Sequence, residues 1–272
     1  VPPRIVTWKS FDGRSVEGLL FLPENRGGRP APLVVMPHGG PSAQSSLGFY
    51  YDANYPALYL AARGFATLLP NPRGSLGYGE AFNALNRGDI GGDDFRDLQA
   101  GVDSLVAAGV VDGRRLAMSG LSYGGYLTAV SLTRTNRYAC AIVAAGPMNL
   151  YANYYQDELG PYWEREFLGA SPTENPAFYL ERSPLHNVRK IRTPVLVVHG
   201  TANSYVPLSL GRELYHALKK GSEETAFLEL PGEGHGGWSE ATTAKLFAEL
   251  GRFFNATIYN YGVEVRKPQV VR

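Results

Sequence analysis

The stretch LAMSGLSYG, residues Leu116–Gly124, decides the fold of this 272-residue chain. It begins with a mainly apolar run that predicts a buried strand, and the segment after it predicts a helix through Leu127–Leu132. The glycines two positions before and two positions after Ser122 let a strand and a helix pack closely around a strained serine. This is the nucleophile-elbow pattern in its expected context, so Ser122 is the predicted nucleophile.

Apolar runs of strand length alternate with segments of helical period along the rest of the chain. This alternation predicts an α/β fold, with a mostly parallel central sheet and helices on both faces. The six predicted inner strands are residues 33–36, 66–70, 116–119, 139–145, 195–199 and 226–230. Two further runs, 4–9 and 15–22, flank a turn and predict an antiparallel hairpin at the sheet edge. The three clearest helices are predicted at 93–108, 208–220 and 239–254.

Composition limits the class of protein and its partners. Hydrophobic residues make up 44% of the chain, which is enough for a large core, so one domain over residues 1–272 is predicted. The 26 basic and 25 acidic residues nearly cancel, which leaves no electrostatic footprint for nucleic acid or for an anionic membrane. No run reaches the roughly 20 apolar residues that span a bilayer.

The single cysteine and the start of the chain bear on localisation. Cys140 lies in an apolar run and is predicted to be a buried strand thiol rather than a nucleophile. One cysteine cannot form an internal disulfide, and this usage favours a cytoplasmic protein. The chain begins at Val1 and not at Met, so its natural start is left open.

An activated serine needs a general base, and in an α/β hydrolase the base follows the last core strand. Among the five histidines, His235 lies in the glycine-rich loop 231–237, between a predicted strand and the last predicted helix. From that loop a side chain can reach over the carboxyl end of the sheet, so His235 is the predicted base. His199 ends a predicted strand and is expected to be a structural, hydrogen-bonding residue.

Residues 37–41, PHGGP, follow the first inner strand, where an α/β hydrolase forms half of its oxyanion hole. Glycines let backbone amides approach a substrate, so the N–H groups of Gly40 and Tyr123 are predicted to bind the developing oxyanion. His38 is expected to brace this loop rather than to exchange protons. Together with the elbow and the base loop, this segment predicts the α/β-hydrolase fold.

The segment 149–183 is rich in aromatic residues, is interrupted by prolines and lacks clean periodicity, which indicates an excursion over the active site. Tyr151, Tyr155 and Trp163 are candidates to wall an apolar substrate pocket, because aromatic rings offer a large, rigid contact area. Packing within the excursion is an equally good interpretation of these side chains.

The motifs together resemble those of a known family. In chain order they are HGGP at 38–41, NPRGS at 71–75, GYG at 77–79, GLSYGGY at 120–126, SP at 183–184, HG at 199–200, VP at 206–207 and GHG at 234–236. The set resembles the catalytic domain of the prolyl oligopeptidase family of serine peptidases, most of all its acylaminoacyl-peptidase-like branch. The resemblance implies a serine peptidase without a cofactor, with Ser122 as nucleophile, His235 as base, and Gly40 and Tyr123 as oxyanion donors.

The triad acid departs from the family pattern. By the resemblance it falls on residue 203, and the loop 199–207, HGTANSYVP, holds no carboxylate. Asn203 can accept the imidazole Nδ1–H through its carbonyl oxygen, but it brings no negative charge, and a flipped amide would favour the unproductive tautomer. An impaired enzyme is therefore expected. Three explanations are open: an inactivating substitution, a natural variant, or a carboxylate reaching in from the excursion, with Asp157, Glu158 and Glu164 as candidates.

The predicted reaction is hydrolysis of peptide or acyl-peptide bonds through an acyl-enzyme. A carboxylesterase acting on small acyl esters is the first alternative, because the same triad cleaves activated esters more easily. A non-catalytic binding protein on a hydrolase scaffold is the second, and the reactivity of Ser122 separates it from the other two. A metal or nucleotide enzyme is disfavoured, since the chain has no ligand pair at metal spacing and no phosphate-binding loop.

Access to the active site is a separate question. Family members normally carry a β-propeller before the hydrolase domain that restricts substrates to short peptides, and residues 1–272 encode none. Self-association into a homo-oligomer, with the tail 258–272 as a contact, would shield such an open site.

Overall fold

The computed structural model describes residues 2–24, 27–50, 54–157, 160–221 and 224–259. Within these residues a central sheet has eight strands in the order β1-β2-β4-β3-β5-β6-β7-β8. The strands are β1 (Arg4–Lys9), β2 (Ser15–Phe21), β3 (Ala31–Val35), β4 (Ala66–Asn71), β5 (Val111–Leu121), β6 (Cys140–Ala144), β7 (Val195–Gly200) and β8 (Ala226–Leu230). All six predicted inner strands are present.

The sheet is parallel from β4 to β8 and antiparallel at the β1–β2 edge. The predicted hairpin is therefore confirmed, and so is the mostly parallel sheet. The prediction of 226–230 as an inner strand is wrong in one respect: β8 forms there but lies at the other edge of the sheet, and most of its residues are partly exposed. Its Glu229 forms an ion pair with Arg212 in solvent.

Helices cover both faces of the sheet. They are α1 (Ala57–Ala61), α2 (Glu80–Asn83), α3 (Asp93–Ala107), α4 (Tyr123–Arg134), α5 (Leu150–Gln156), α6 (Gly160–Trp163), α7 (Pro176–Arg182), α8 (Leu208–Lys219) and α9 (Glu240–Phe254). The three helices predicted from periodicity, α3, α8 and α9, agree within about one residue at each end. Ser239 caps α9, because its hydroxyl accepts the N–H of Thr242 at 3.3 Å.

Two hydrophobic clusters follow from the alternation of strand side chains. Leu33 and Val35 of β3 join the cluster that packs against α3, α4 and α8. Val34, between them, joins the opposite cluster, which packs against α1 and α9. The α/β-hydrolase fold expected from the sequence thus has a core on each side of one sheet. Cys140 is fully buried in the second cluster, and burial raises the pKa of its thiol to about 12.

The excursion 149–183 is mainly helical. It contains α5, α6, a π-helical turn at Glu164–Leu168, and α7. Asn149 and Asn175 cap α5 and α7 by accepting backbone N–H groups, which is why helices begin there despite weak periodicity.

The end of the chain is described as far as residue 259. A π-helical turn spans Asn255–Tyr259, and Ile258 is buried in the second cluster. The rest of the predicted tail contact, residues 260–272, lies outside the described residues. None of the helices in the described ranges has the length and apolarity to cross a membrane.

Candidate active site

Ser122 occupies the sharp turn between β5 and α4. Its backbone has φ 61° and ψ −125°, a conformation that non-glycine residues rarely adopt. Two backbone hydrogen bonds hold the turn: the N–H of Ser122 donates to Ala144 O at 3.0 Å, and the N–H of Tyr126 donates to Ser122 O at 2.9 Å. The chain therefore maintains a strained serine at the carboxyl end of the sheet.

The elbow depends on a close approach at Gly124. A Cβ on Gly124 would lie 2.1 Å from Pro37 O, a backbone atom in the loop after β3. We expect Gly124→Ala to lower the free energy of unfolding by about 1–3 kcal/mol or more, because overpacking forces backbone shifts. Urea denaturation measures this loss.

The matched control for this prediction is Gly234→Ala. A Cβ on Gly234 would meet no heavy atom within 4 Å, so the change is expected to stay within about 0.5 kcal/mol. Equal denaturation midpoints for the two variants would contradict the close approach.

The loop after β3 lies beside Ser122. A Cβ on Gly39 would be 3.5 Å from Ser122 Cβ, and Gly40 has φ 124°, which favours glycine. Among the described residues, the N–H groups of Gly40 and Tyr123 donate to no protein acceptor. These are the two donors predicted from sequence to bind an oxyanion.

His38 braces this loop, as predicted. It is buried, and its ring nitrogens lie 2.7 Å from Gly39 O and 2.9 Å from Ser75 Oγ. Burial lowers the pKa of His38, which keeps the ring neutral. The loop is fastened further along by Asn71, whose side chain pairs with both backbone groups of Ser45.

The structure brings His235 and Asn203 together. His235 Nδ1 lies 3.2 Å from Asn203 Oδ1. Their loops are joined by a hydrogen bond from Ala202 N–H to Glu233 O at 2.9 Å. The base loop also reaches the elbow, because a Cβ on Gly236 would lie 3.2 Å from Leu121 Cδ2, one residue before the predicted nucleophile.

The side chain of Asn203 has a fixed orientation. It is 8% exposed, and its Oδ1 accepts the N–H groups of Tyr205 at 3.1 Å and Val206 at 3.0 Å. A flipped amide would turn its own N–H groups toward these two donors and leave them unpaired, at about 1–3 kcal/mol each. This geometry opposes the flip that the sequence allowed. Oδ1 therefore accepts Nδ1–H of His235, which is the tautomer that the predicted role of His235 as a base requires.

His235 is half-buried, and it forms no ion pair with a carboxylate of the described residues. Burial first, and then the neighbouring His199, lower the pKa of His235 to about 4. Tyr205 packs edge-on against the imidazole, with ring centroids 5.5 Å apart. Tyr205 is a site residue that the sequence analysis missed, since its only sequence signal is proximity to residue 203.

The carboxylates considered as substitutes have other partners. Asp157 accepts from Asn153 Nδ2 at 3.2 Å, and Glu164 accepts from the Tyr154 hydroxyl at 2.6 Å. Glu158 lies outside the described residues. Within the part of the chain that is described, Asn203 is the side chain that hydrogen-bonds to His235 Nδ1.

The three candidate pocket aromatics fall into two environments. Tyr151 and Tyr155 are 37% and 55% exposed, and their rings lie 5.6 Å apart. Trp163 is 9% exposed and packs between the rings of Tyr123 and Phe167 in the core. Trp163 therefore packs in the core, where its ring contacts Tyr123, the residue after Ser122.

Asp94 lies in the first turn of α3. It is fully buried, accepts the Tyr123 hydroxyl, and accepts backbone N–H groups of Gly91 at 3.2 Å and Phe95 at 2.7 Å. Burial raises the pKa of Asp94 to about 6. Because Tyr123 follows the predicted nucleophile, this buried pair anchors the first turn of α4. No sequence pattern distinguishes Asp94 from its partly exposed neighbour Asp93.

Nothing in the described ranges suggests a metal centre, since no three His, Cys, Asp or Glu side chains there are grouped to hold an ion. The candidate site is thus a serine, a histidine, an amide and two backbone N–H groups.

Comparison with known proteins finds relatives that cover most of this chain. A model of the prolyl oligopeptidase family matches residues 51–260, which include Ser122, Asn203 and His235. A curated but uncharacterized peptidase of Bacillus subtilis is 31% identical over 86% of this chain and 35% of its own length. Dipeptidyl aminopeptidase BIII of Pseudoxanthomonas mexicana is 34% identical over 87% of this chain and 36% of its own length. The chain spans about a third of the length of these relatives.

A solved structure shows the same fold. The acylaminoacyl peptidase of Pyrococcus horikoshii superposes with a TM-score of 0.86 at 27% sequence identity, covering 97% of this chain and 43% of that one. The similarity extends over the whole sheet and both helical layers.

Proposed function

Because this chain belongs to the prolyl oligopeptidase family, we propose that it hydrolyses peptide or acyl-peptide bonds through an acyl-enzyme on Ser122. The observation that carries the proposal is the serine held at φ 61°, beside loops that present His235 and Gly40. Such a backbone costs about 1–3 kcal/mol, and packing alone gives no reason to keep it.

The chemistry follows from the tautomer of His235. With Nδ1–H donated to Asn203 Oδ1, Nε2 carries the lone pair that takes the proton of Ser122 as Oγ attacks the carbonyl carbon. The carbonyl oxygen becomes an oxyanion that accepts the N–H groups of Gly40 and Tyr123. His235 then returns its proton to the leaving amine. Water then attacks the acyl-enzyme and gives a proton to His235, which passes that proton to Ser122 as the acid product leaves.

Asn203 slows this cycle without stopping it. During attack His235 becomes an imidazolium, and a carboxylate at position 203 would stabilise that charge, whereas an amide supplies only a hydrogen bond. The fixed Oδ1 preserves the correct tautomer, so the defect is confined to the missing charge. We therefore propose an impaired hydrolase.

The substrate preference is proposed from the relatives. Those reported above are named as an acylaminoacyl peptidase and as a dipeptidyl aminopeptidase, which differ in whether the substrate amine is blocked or free. The exposed tyrosines Tyr151 and Tyr155 offer an apolar ring surface for an acyl group. We expect blocked, acyl-aminoacyl substrates to be preferred.

A three-substrate comparison tests this proposal. The chain is assayed with an acyl-aminoacyl p-nitroanilide, the same anilide with a free amino-terminal dipeptide, and a p-nitrophenyl ester, with Ser122→Ala as the blank. Fastest anilide cleavage for the blocked substrate supports the proposal. Turnover of the ester alone would indicate the carboxylesterase, and no turnover and no labelling of Ser122 by a fluorophosphonate would indicate the binding protein.

The pH profile provides a further prediction. His235 must be neutral to act as a base, and its pKa is lowered to about 4. The value of kcat/KM for the Asn203 chain should therefore stay level from neutral pH down to about pH 5, and it should decrease below about pH 4. In Asn203→Asp the carboxylate favours the imidazolium and raises this pKa, so activity should begin to fall at a higher pH. Superimposable profiles for the two proteins would contradict this assignment.

A further inference from the structure

The predicted general base lies in the most permissive stretch of backbone in the site. His235 has Gly234 before it and Gly236 and Gly237 after it, and Gly237 has φ 65°. Glycine is conformationally permissive, so these neighbours do not by themselves fix the position of the imidazole. Within the described ranges, the backbone N–H and C=O groups of residues 235–237 form no hydrogen bond. The position of His235 therefore depends on contacts made on either side of this stretch.

One hydrogen bond holds the chain on each side of His235. Before it, Glu233 O accepts the N–H of Ala202 at 2.9 Å. After it, the indole Nε1–H of Trp238 donates to Gly234 O at 3.1 Å, which closes the loop around the base. The carbonyl group of Gly234 and the N–H group of His235 belong to one planar peptide. The indole therefore fixes the orientation of the peptide that leads into the base.

The indole of Trp238 is itself held by the core. Trp238 is 7% exposed and belongs to the hydrophobic cluster that contains Leu246 and Leu250 of α9. Leu121, the residue before Ser122, belongs to the same cluster, and Leu121 and Trp238 line one cavity of about 10 Å³. Side chains in such a core are close-packed and sit in defined rotamers. The indole thus connects the loop of the base to the strand end that leads into Ser122.

We propose that Trp238 is a positioning residue for His235: its indole packs beside Leu121, and its N–H holds Gly234 O so that the imidazole stays within reach of Ser122 Oγ. The inference rests on the proposed function, because it assigns a role within that reaction. A misplacement of about 1 Å caused by a distant mutation can lower a rate about 10²-fold. Loss of one hydrogen bond from a ring that stays packed should move the base less, so we expect a loss of about tenfold.

Trp238→Phe removes the indole N–H and leaves an aromatic ring in the cluster. With the acyl-aminoacyl p-nitroanilide, this variant should have a kcat about tenfold below that of the parent chain and an unchanged KM, because the base takes part in proton transfer and not in substrate binding. Trp8→Phe is the matched control. Trp8 is also buried, and its indole N–H donates to a backbone carbonyl, Asp97 O, at 2.9 Å, but it lies on β1 at the edge of the sheet. Both variants should melt about 2–6 °C below the parent chain, and Trp8→Phe should keep the parent kcat.

A second measurement shows whether Trp238 acts through His235. The rate at which a fluorophosphonate labels Ser122 depends on the base, and it requires no cleavage of a peptide or an ester. Trp238→Phe should slow this labelling about tenfold in the parent chain and should have no effect in the His235→Ala protein, whose labelling is already slow. A merely structural role would slow labelling equally in both proteins.

An isosteric replacement applies if Trp238→Phe folds poorly. Site-specific incorporation of 3-benzothienylalanine at position 238 keeps the two fused rings and exchanges the N–H for sulfur, which cannot donate a hydrogen bond. The packing beside Leu121 is then retained, so this variant should show the same loss of kcat with a smaller loss of melting temperature.

The outcomes separate this inference from the proposed function. Slower labelling of Ser122 in Trp238→Phe, with no cleavage of any peptide substrate, supports the role of Trp238 and counts against the proposed substrate class. Parent values of kcat and of the labelling rate in both position-238 variants, or equal losses of kcat in Trp238→Phe and Trp8→Phe, would overturn the role of Trp238, even if the chain hydrolyses acyl-aminoacyl anilides. Absence of labelling in the parent chain would overturn both.

Discussion

We expect Asn203→Asp to raise kcat for an acyl-aminoacyl p-nitroanilide by about 10²–10⁴-fold. The upper value is the effect of the corresponding change in an unrelated serine protease, where the amide also imposes the wrong histidine tautomer. Here the N–H groups of Tyr205 and Val206 hold Asn203 Oδ1 toward His235, so the tautomer is already correct. The gain comes from charge stabilisation of the imidazolium, and we expect it in kcat with little change in KM.

The measurement needs two controls. A peptide map of the parent chain must show unmodified Asn203, because partial deamidation would itself produce Asp and mask the difference. Glu233→Gln controls for a change of charge near His235. Glu233 lies in the base loop, but its carboxylate accepts hydrogen bonds from Ser239 instead of from His235. If Asn203→Asp has no effect while Ser122→Ala abolishes turnover, the triad acid lies elsewhere.

The second large effect concerns the nucleophile. In the Asn203→Asp background, Ser122→Ala should lower kcat by about 10⁴–10⁶-fold, leaving the slow reaction that the oxyanion donors and substrate binding support alone. The Ser122 backbone is held by its hydrogen bonds to Ala144 and Tyr126, which alanine retains, so the fold should be unaffected.

The two substitutions should be strongly non-additive. A carboxylate at position 203 acts only through His235 on Ser122, so Asn203→Asp should give no gain in the Ser122→Ala protein. A double-mutant cycle with the same anilide measures this coupling. Additive effects would mean that residue 203 influences turnover by another route, such as substrate binding.

The sequence alone determined the fold and the positions of the main groups. The strands and the helices α3, α8 and α9 were predicted because their signals are local: apolar runs, helical periodicity and capping residues recur over a few neighbouring positions. Ser122 was predicted for the same reason, since the glycines that the elbow requires are within two residues of it. His235 followed from its loop after the last strand, because chain order fixes which loops meet at the carboxyl end of a parallel sheet.

The tertiary structure decided the burial, the orientation and the hydrogen-bond partners of those groups. Neither the burial of Asp94 under Tyr123 nor the burial of Trp163 in the core has a periodic signature. The orientation of the Asn203 amide depends on backbone donors whose directions are set by the turn before α8. The position of His199 beside that amide depends on the end of β7. Such contacts arise from how packed elements bring their ends together, and that arrangement holds Asn203 Oδ1 toward His235 Nδ1.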